Sequence, residues 1–132
     1  MENPSNVIFL GHVERDKLPG LMRDSTVCCV PSFGEAFGLV ALEAMACGRP
    51  VVGTDASGLA HLITDKGGIK VRAGDSQALA QALIRVLEDP ELARSMGEHN
   101  RKLAEQRYAW TSVVTRVEEA YYAAGKLTRR AS

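Results

Sequence analysis

The sequence predicts an α/β protein in which helices flank a parallel β-sheet. Three short apolar runs, residues 7–10, 26–30 and 50–54, do not alternate with polar residues, and this pattern is typical of strands that are buried on both faces. The segments between the runs show helical spacing of their apolar residues or end at glycine and proline. Strands that alternate with helices favour crossover connections, which join parallel strands.

The composition is that of one soluble domain. The chain has 132 residues, and its 16 basic and 16 acidic side chains cancel, so nothing favours a nucleic acid or a membrane surface as a partner. No apolar run approaches the roughly 18 residues of a membrane span, and the first residues are polar, unlike a signal peptide. The three cysteines include the neighbours Cys28 and Cys29, whose side chains would point to opposite faces of a strand. We therefore expect no disulfide framework and a reducing, cytoplasmic location.

The first half of the chain contains two predicted helices. Residues 14–24 place leucines at helical spacing, but Pro19 and Gly20 interrupt them, so we expect a short, broken helix there. Residues 39–47 have one apolar face and are followed by Gly48, which suits the left-handed position after a helix end. The third apolar run then continues the sheet.

The second half is predicted to be mostly helical. After a helical turn at residues 60–63 we expect a last short strand at 69–72. Asp75 and Asp89 stand where N-caps are expected, each before a helix with an apolar stripe. A final helix is expected over approximately residues 109–132. Helices that follow one another without intervening strands must cover the sheet or pack on a part of the protein outside this chain.

Residues 31–58 contain the candidate site. They join the second and third apolar runs through a glycine-bearing loop and a helix, so the loop is expected at the carboxyl edge of the sheet, where α/β proteins bind ligands. The helix start offers unpaired N–H groups and a partial positive charge, which attract phosphate or sugar oxygens. Glu35 precedes the helix and Glu43 lies inside it, and a carboxylate suits a ribose diol or two hexose hydroxyls. From the spacing alone, the favoured interpretation is that Glu35 is a solvated loop residue and Glu43 a surface residue of the helix.

A family resemblance changes that balance. The segment FGEAFGLVALEAMACGRPVVGTDASGL resembles the donor-binding signature of retaining glycosyltransferases of the GT-B fold, in particular the group 1 (family 4-like) enzymes that use nucleotide sugars. The segments VIFLGHV, LPGLMRDSTVCCVPS and RYAWTSVVTRVEEAYYAA also resemble that family's C-terminal domain, in the same order. The resemblance implies a Rossmann-like parallel sheet flanked by helices, forming the C-terminal part of a GT-B donor domain with trailing helices.

The resemblance also implies roles for the two acids, which have seven residues between them in the family's E-x7-E pattern. Glu35 would contact hydroxyls of the donor sugar and is the implied catalytic residue. Glu43 would hold the ribose hydroxyls. The backbone N–H groups that follow the first acid would bind the sugar or the distal phosphate. The implied donor-sugar and phosphate site consists of Glu35, Ala36, Phe37, Gly38 and Leu39.

Other parts of the resemblance are looser. The loop Gly11, His12 and Val13 corresponds to the family segment that passes beside the nucleobase, although an exposed loop histidine is the plainer account of His12. Where relatives often have G-G-L-P-E after the third strand, this chain has SGLAH, so His61 receives no role. The family's phosphate-binding arginine and lysine and its glycine-rich turn correspond to segments upstream of Val7. We therefore interpret residues 1–132 as a single partial domain.

The implied parent reaction transfers a hexosyl group from a UDP- or GDP-sugar to an acceptor hydroxyl with retention of configuration. The acceptor is a sugar, a lipid or a small molecule, and we expect no further cofactor and no metal ion. The N-terminal domain of such an enzyme would be a partner of this chain, the last helix would pack on that domain, and the isolated chain is expected to be inactive. An exposed apolar surface would also allow a homo-oligomer.

Two alternatives remain open at the level of sequence. A GT-B sugar phosphorylase or epimerase shares the architecture, although the E-x7-E arrangement favours transfer. A noncatalytic or split-subunit module that binds a sugar nucleotide and needs a partner is the alternative from a different class.

Overall fold

The computed structural model describes the backbone of residues 6–128 and the side chains of residues 6–125. Its sheet has three strands, β1 (Cys28–Val30), β2 (Val51–Thr54) and β3 (Gly68–Val71), in the spatial order β1-β2-β3. Both pairs are parallel, with Cys28 opposite Val51 and Val51 opposite Gly68. The predicted parallel α/β architecture is therefore confirmed.

Six α-helices and one π-helical segment surround the sheet in the described residues. They are α1 (Leu18–Asp24), α2 (Leu39–Ala46), α3 (Ser57–Leu62), α4 (Ser76–Glu88), α5 (Pro90–Leu103), the π-helix Ala104–Tyr108 and α6 (Trp110–Thr128). Asp75 and Asp89 are the predicted N-caps of α4 and α5, and their Oδ1 atoms accept hydrogen bonds from the N–H groups of Ala78 (2.8 Å) and Leu92 (2.9 Å). These caps satisfy N–H groups that a helix start leaves unpaired.

The first helix is short, as predicted for residues 14–24, but the prediction that Pro19 and Gly20 break it was wrong. The helix begins at Leu18 and places Pro19 in its first turn. A proline there removes no intrahelical hydrogen bond, because the first N–H groups of a helix have no partner within it. Pro19 therefore lies in the first turn of the helix and does not interrupt it.

Adjacent residues of β2 belong to two hydrophobic cores, one on each face of the sheet. Val51 belongs to a cluster on the face covered by α2 and α3, with Met45 and Leu59. Val52 belongs to a cluster on the other face, with Val86 of α4 and Met96 of α5. Because successive strand residues point to opposite faces, an unbroken apolar run is what this doubly covered strand requires.

Residues 7–10 do not form the predicted buried strand. Ile8 and Phe9 are 82% and 78% exposed, and the segment lies outside the sheet. A strand needs a neighbour for its N–H and C=O groups, and none of the three described strands pairs with this segment. The apolar composition was identified correctly, but no strand among the described residues pairs with this segment.

The cysteines confirm the expected alternation. All three are free thiols, and Cys28 packs against the cluster that contains Val51 while its neighbour Cys29 is exposed. Burial and, to a smaller extent, the neighbouring Cys29 raise the pKa of the Cys28 thiol, and partial desolvation raises the pKa of the Cys29 thiol. A raised thiol pKa lowers the thiolate fraction at neutral pH, which disfavours either side chain as a nucleophile.

Helix α6 carries exposed apolar side chains. Trp110 is 83% exposed, and Tyr121 and Tyr122 are 77% and 74% exposed. The prediction that this helix packs on a further domain stays a prediction, and residues 129–132 lie outside the described range. Within residues 6–128, no helix has both the length and the apolarity that crossing a bilayer requires.

Asn100 joins α5 to the loops that lead into β2 and β3. It is 1% exposed, and its Nδ2 donates to the carbonyl oxygens of Arg49 (2.8 Å) and Gly67 (2.7 Å). A Cβ on Gly67 would lie 1.8 Å from the Asn100 Oδ1. The Asn100 side-chain amide therefore occupies the space that a side chain at position 67 would fill.

Replacement of Asn100 by alanine is expected to lower the free energy of unfolding by about 2 kcal/mol, since the Arg49 carbonyl oxygen then loses its donor and the buried Gly67 carbonyl oxygen keeps only the N–H group of Val51. Urea unfolding followed by circular dichroism measures the change. Ser95→Ala, at an exposed position of the same helix, is the matched control and is expected to change stability by less than about 0.5 kcal/mol. Equal stabilities for the two variants would contradict the role of Asn100.

Candidate active site

The loop that connects β1 to α2 lies at the carboxyl edge of the parallel sheet. It begins at Pro31, directly after Val30, and ends at Gly38. The Thr54 hydroxyl at the end of β2 donates a hydrogen bond to the carbonyl oxygen of Ser32. This bond attaches the loop to the neighbouring strand, at the edge where parallel α/β proteins bind ligands.

Glu35 is bonded to the start of α2. Its Oε1 accepts hydrogen bonds from the N–H groups of Gly38 (3.1 Å) and Phe37 (3.4 Å). The first acid and the amides predicted to act with it therefore lie together, with Ala36 exposed between them and Leu39 exposed at the first helical position. Both bonds go to one carboxylate oxygen, so Oε2 keeps its capacity to accept.

Gly38 is the N-cap of α2 and its backbone requires glycine. Its φ is +93°, in the left-handed region that side chains disfavour. A Cβ there would also lie 2.7 Å from Cδ2 of Leu59 in α3. The helix start is thus set by backbone conformation and by close packing together.

Gly58 in α3 packs directly on the loop. Its N–H donates to the carbonyl oxygen of Glu35 (2.8 Å). A Cβ on Gly58 would lie 2.5 Å from the Phe37 Cα and 2.6 Å from the Ala36 carbonyl oxygen. The sequence identified Gly58 only as a turn residue, because a glycine in a turn gives no signal of what approaches it across the fold.

Glu43 has a different environment from Glu35. It is half-buried on α2 and lines two small cavities, one of about 260 Å³ shared with Tyr108 and one of about 210 Å³ shared with Arg15 and Leu18. None of the hydrogen bonds and ion pairs between described residues involves its carboxylate. Glu43 therefore has both carboxylate oxygens available for a ligand, whereas Glu35 has one oxygen engaged.

The structure does not bring the proposed nucleobase loop into a cavity with the two acids. His12 and Val13 line a separate cleft with Lys17, the N-cap of α1, and Leu21 of α1, and Gly11 precedes them with a φ of +63°. Neither acid lines this cleft. The role of the loop stays a prediction.

A further cleft lies at the opposite edge of the sheet, before β1 and β2. Three arginines line it, but each guanidinium already has a partner. Arg49 donates to the Ser25 carbonyl oxygen (3.0 Å), Arg94 pairs with Glu91 (2.7 Å), and Arg101 donates to a glutamate of the π-helix (2.9 Å). Arg94 and Arg101 are thus paired with carboxylates, whereas Arg49 donates to neutral carbonyl oxygens and keeps its positive charge.

Tyr108 is a contact of the loop that the sequence did not identify. Its ring meets the Phe37 ring edge to face, with centroids 5.9 Å apart and an interplanar angle of 71°. The only sequence signal was the aromatic pair in RYAW after a long helix, and that pattern does not say which loop the ring reaches.

The parallel sheet is covered by helices on both faces and carries the Glu35 loop at its carboxyl edge, which is a Rossmann-like arrangement. The model of the family described as glycosyl transferases group 1 matches residues 1–103. The chain belongs to this family, and its fold is that of the C-terminal part of GT-B glycosyltransferases. The family resemblance of the motif segments is thereby confirmed.

Three similar proteins illustrate the relationship. N-acetyl-alpha-D-glucosaminyl L-malate synthase of Bacillus anthracis is 37% identical over 117 residues, which cover 88% of this chain and 30% of that protein. Sucrose-phosphate synthase of Thermosynechococcus elongatus superposes with a TM-score of 0.82 at 34% identity, covering 91% of this chain and 30% of that one. HepE of Anabaena, solved with UDP and glucose, gives a TM-score of 0.79 at 28% identity, covering 90% and 32%. This chain thus spans about a third or less of the length of these relatives.

Proposed function

We propose that this chain is the donor-binding part of a retaining glycosyltransferase that takes a UDP- or GDP-sugar and transfers its hexosyl group to an acceptor hydroxyl. The observation that carries the proposal is that the two acids at one helix, α2, are in different states. Glu35 is bonded to the start of the helix, and the Glu43 carboxylate has no hydrogen-bond or ion-pair partner among the described residues. Membership of the group 1 family and the likeness to a protein solved with UDP and glucose support it.

The two acids are proposed to hold different parts of the donor. The free Glu43 carboxylate accepts hydrogen bonds from both ribose hydroxyls, which a partner-free acid can do without breaking an existing bond. The Glu35 Oε2 accepts from a sugar hydroxyl while Oε1 keeps its bonds to Gly38 and Phe37. Ala36 and Leu39 flank this sugar side.

The N–H groups at the start of α2 are proposed to stabilise the leaving diphosphate. The helix dipole and the N–H groups of the first helical turn, which begins at Leu39, favour negative charge at this point. Preorganised donors of this kind can contribute several kcal/mol to catalysis of a charge-forming step. Cations and the acceptor site would come from a partner domain outside this chain, and the reaction is proposed to need no metal ion.

Titration of the 15N-labelled chain with UDP, GDP, UDP-glucose and GDP-mannose tests the proposal. We expect the amide signals of Gly38, Leu39 and Glu43 to shift with one nucleoside diphosphate series, and the shifts to persist in EDTA. Glucose alone is the control for nonspecific addition of a sugar. Unchanged spectra at millimolar concentrations of all four nucleotides would contradict the proposal.

A further inference from the structure

The π-helical segment Ala104–Tyr108 interrupts the helical path from α5 to α6. A π-helical turn is rare, and it is found frequently at functional sites because it displaces one residue from the regular helical register. The residue at the end of this turn is Tyr108. Through Tyr108 the π-helical turn contacts the loop of residues 31–38, which we call the donor loop.

The Tyr108 ring is held from two sides. On one side it packs against the core cluster that contains Met45 and Leu59. On the other side it meets the Phe37 ring at 5.9 Å in an edge-to-face arrangement, a geometry that aromatic pairs prefer. A ring that is fixed by the core can restrain a loop side chain that would otherwise rest on the surface, and Phe37 is 43% exposed.

Tyr108 also borders the second acid. It lines the cavity of about 260 Å³ together with Glu43 and Leu42 of α2. The same side chain thus contacts Phe37, next to the Glu35–Gly38 hydrogen bond, and lies beside the proposed ribose acid. No other aromatic ring pair occurs among the described residues.

We propose that Tyr108 is a positioning residue, which holds the Phe37 loop against α2 so that the Glu35 and Glu43 carboxylates engage one donor together. The inference rests on the proposed function and adds to it a residue outside the E-x7-E motif. Tyr108 acts through the Phe37 ring and not on the reacting atoms. Its effect should therefore fall on the sugar side of the donor, where the loop lies, more than on the ribose side.

Amide hydrogen exchange on the 132-residue chain tests the restraint without any ligand. In Tyr108→Ala we expect exchange at Phe37 and Gly38 to rise about threefold or more, because loss of a ring pair makes local opening easier. The Ala78 amide, capped by Asp75 on the far helix, is expected to keep its rate. Tyr108→Phe retains the ring and should restore slow exchange at Gly38.

Tyr121→Ala is the matched control, because Tyr121 lies on exposed α6 with no ring partner among the described residues. It should leave the exchange of Gly38 unchanged. The proposal is overturned if Tyr108→Ala leaves Gly38 exchange at its original rate. An equal rise at Gly38 and Ala78 would also overturn it, because that result indicates global destabilisation.

Binding of UDP and UDP-glucose separates this inference from the proposed function. For Tyr108→Ala we expect a larger loss of affinity for UDP-glucose than for UDP, and for Tyr121→Ala no change in either. Equal losses would contradict the assignment of Tyr108 to the sugar side. If the unsubstituted chain binds neither compound, the proposed function fails while the exchange result still decides whether Tyr108 restrains the loop.

Discussion

Glu43→Gln is expected to weaken UDP binding about tenfold or more, because hydrogen bonds to a charged group contribute about 1.5–3 kcal/mol each. The Glu43 carboxylate makes no hydrogen bond or ion pair with any described residue, so the substitution removes ligand contacts without breaking internal ones. Isothermal titration calorimetry or NMR titration with UDP measures the loss. Thermal unfolding of the variant should match that of the unsubstituted chain.

Two comparisons sharpen this prediction. Glu35→Gln should weaken UDP less than Glu43→Gln but should reduce the extra affinity for UDP-glucose, since Glu35 lies on the proposed sugar side. Glu105→Gln is the matched control, because Glu105 lines the same cavity as Glu43 but pairs with Arg101 on the surface, where an ion pair contributes little. If all three variants bind UDP alike, the ribose assignment of Glu43 is wrong.

Gly58→Ala is expected to displace the donor loop and to lower the free energy of unfolding by about 1–3 kcal/mol, the usual range for overpacking. The added methyl group would lie 2.5 Å from the Phe37 Cα and 2.6 Å from the Ala36 carbonyl oxygen. These are backbone atoms, so no side-chain rotation relieves the contact. We expect large shifts of the Phe37 and Gly38 amide signals and a loss of nucleotide-sugar binding.

Gly34→Ala provides a control in the same loop. A Cβ on Gly34 would meet no atom within 4 Å, so its stability should change by less than about 0.5 kcal/mol. Urea unfolding and a 15N spectrum of each variant make the comparison. Gly58→Ala with the stability and spectrum of Gly34→Ala would show that α3 does not hold the loop.

The sequence by itself determined the features that depend on neighbouring residues. Asp75 and Asp89 cap the helices that follow them, and α2 begins at the predicted Leu39, because capping and helical periodicity are local. The unbroken apolar run at Val51 and Val52 indicated a strand covered on both faces, as observed. The E-x7-E segment resembled the family to which the chain belongs.

The tertiary structure alone decided which of these elements meet. Residues 7–10 are as apolar as a buried strand, but pairing needs a neighbour, and none lies among the described residues. The close approach of Gly58 to the loop and of Tyr108 to Phe37 depends on how the crossovers place distant segments side by side. The two acids of the E-x7-E motif therefore differ in the fold, with the Glu35 carboxylate bonded to the start of α2 and the Glu43 carboxylate available to a ligand.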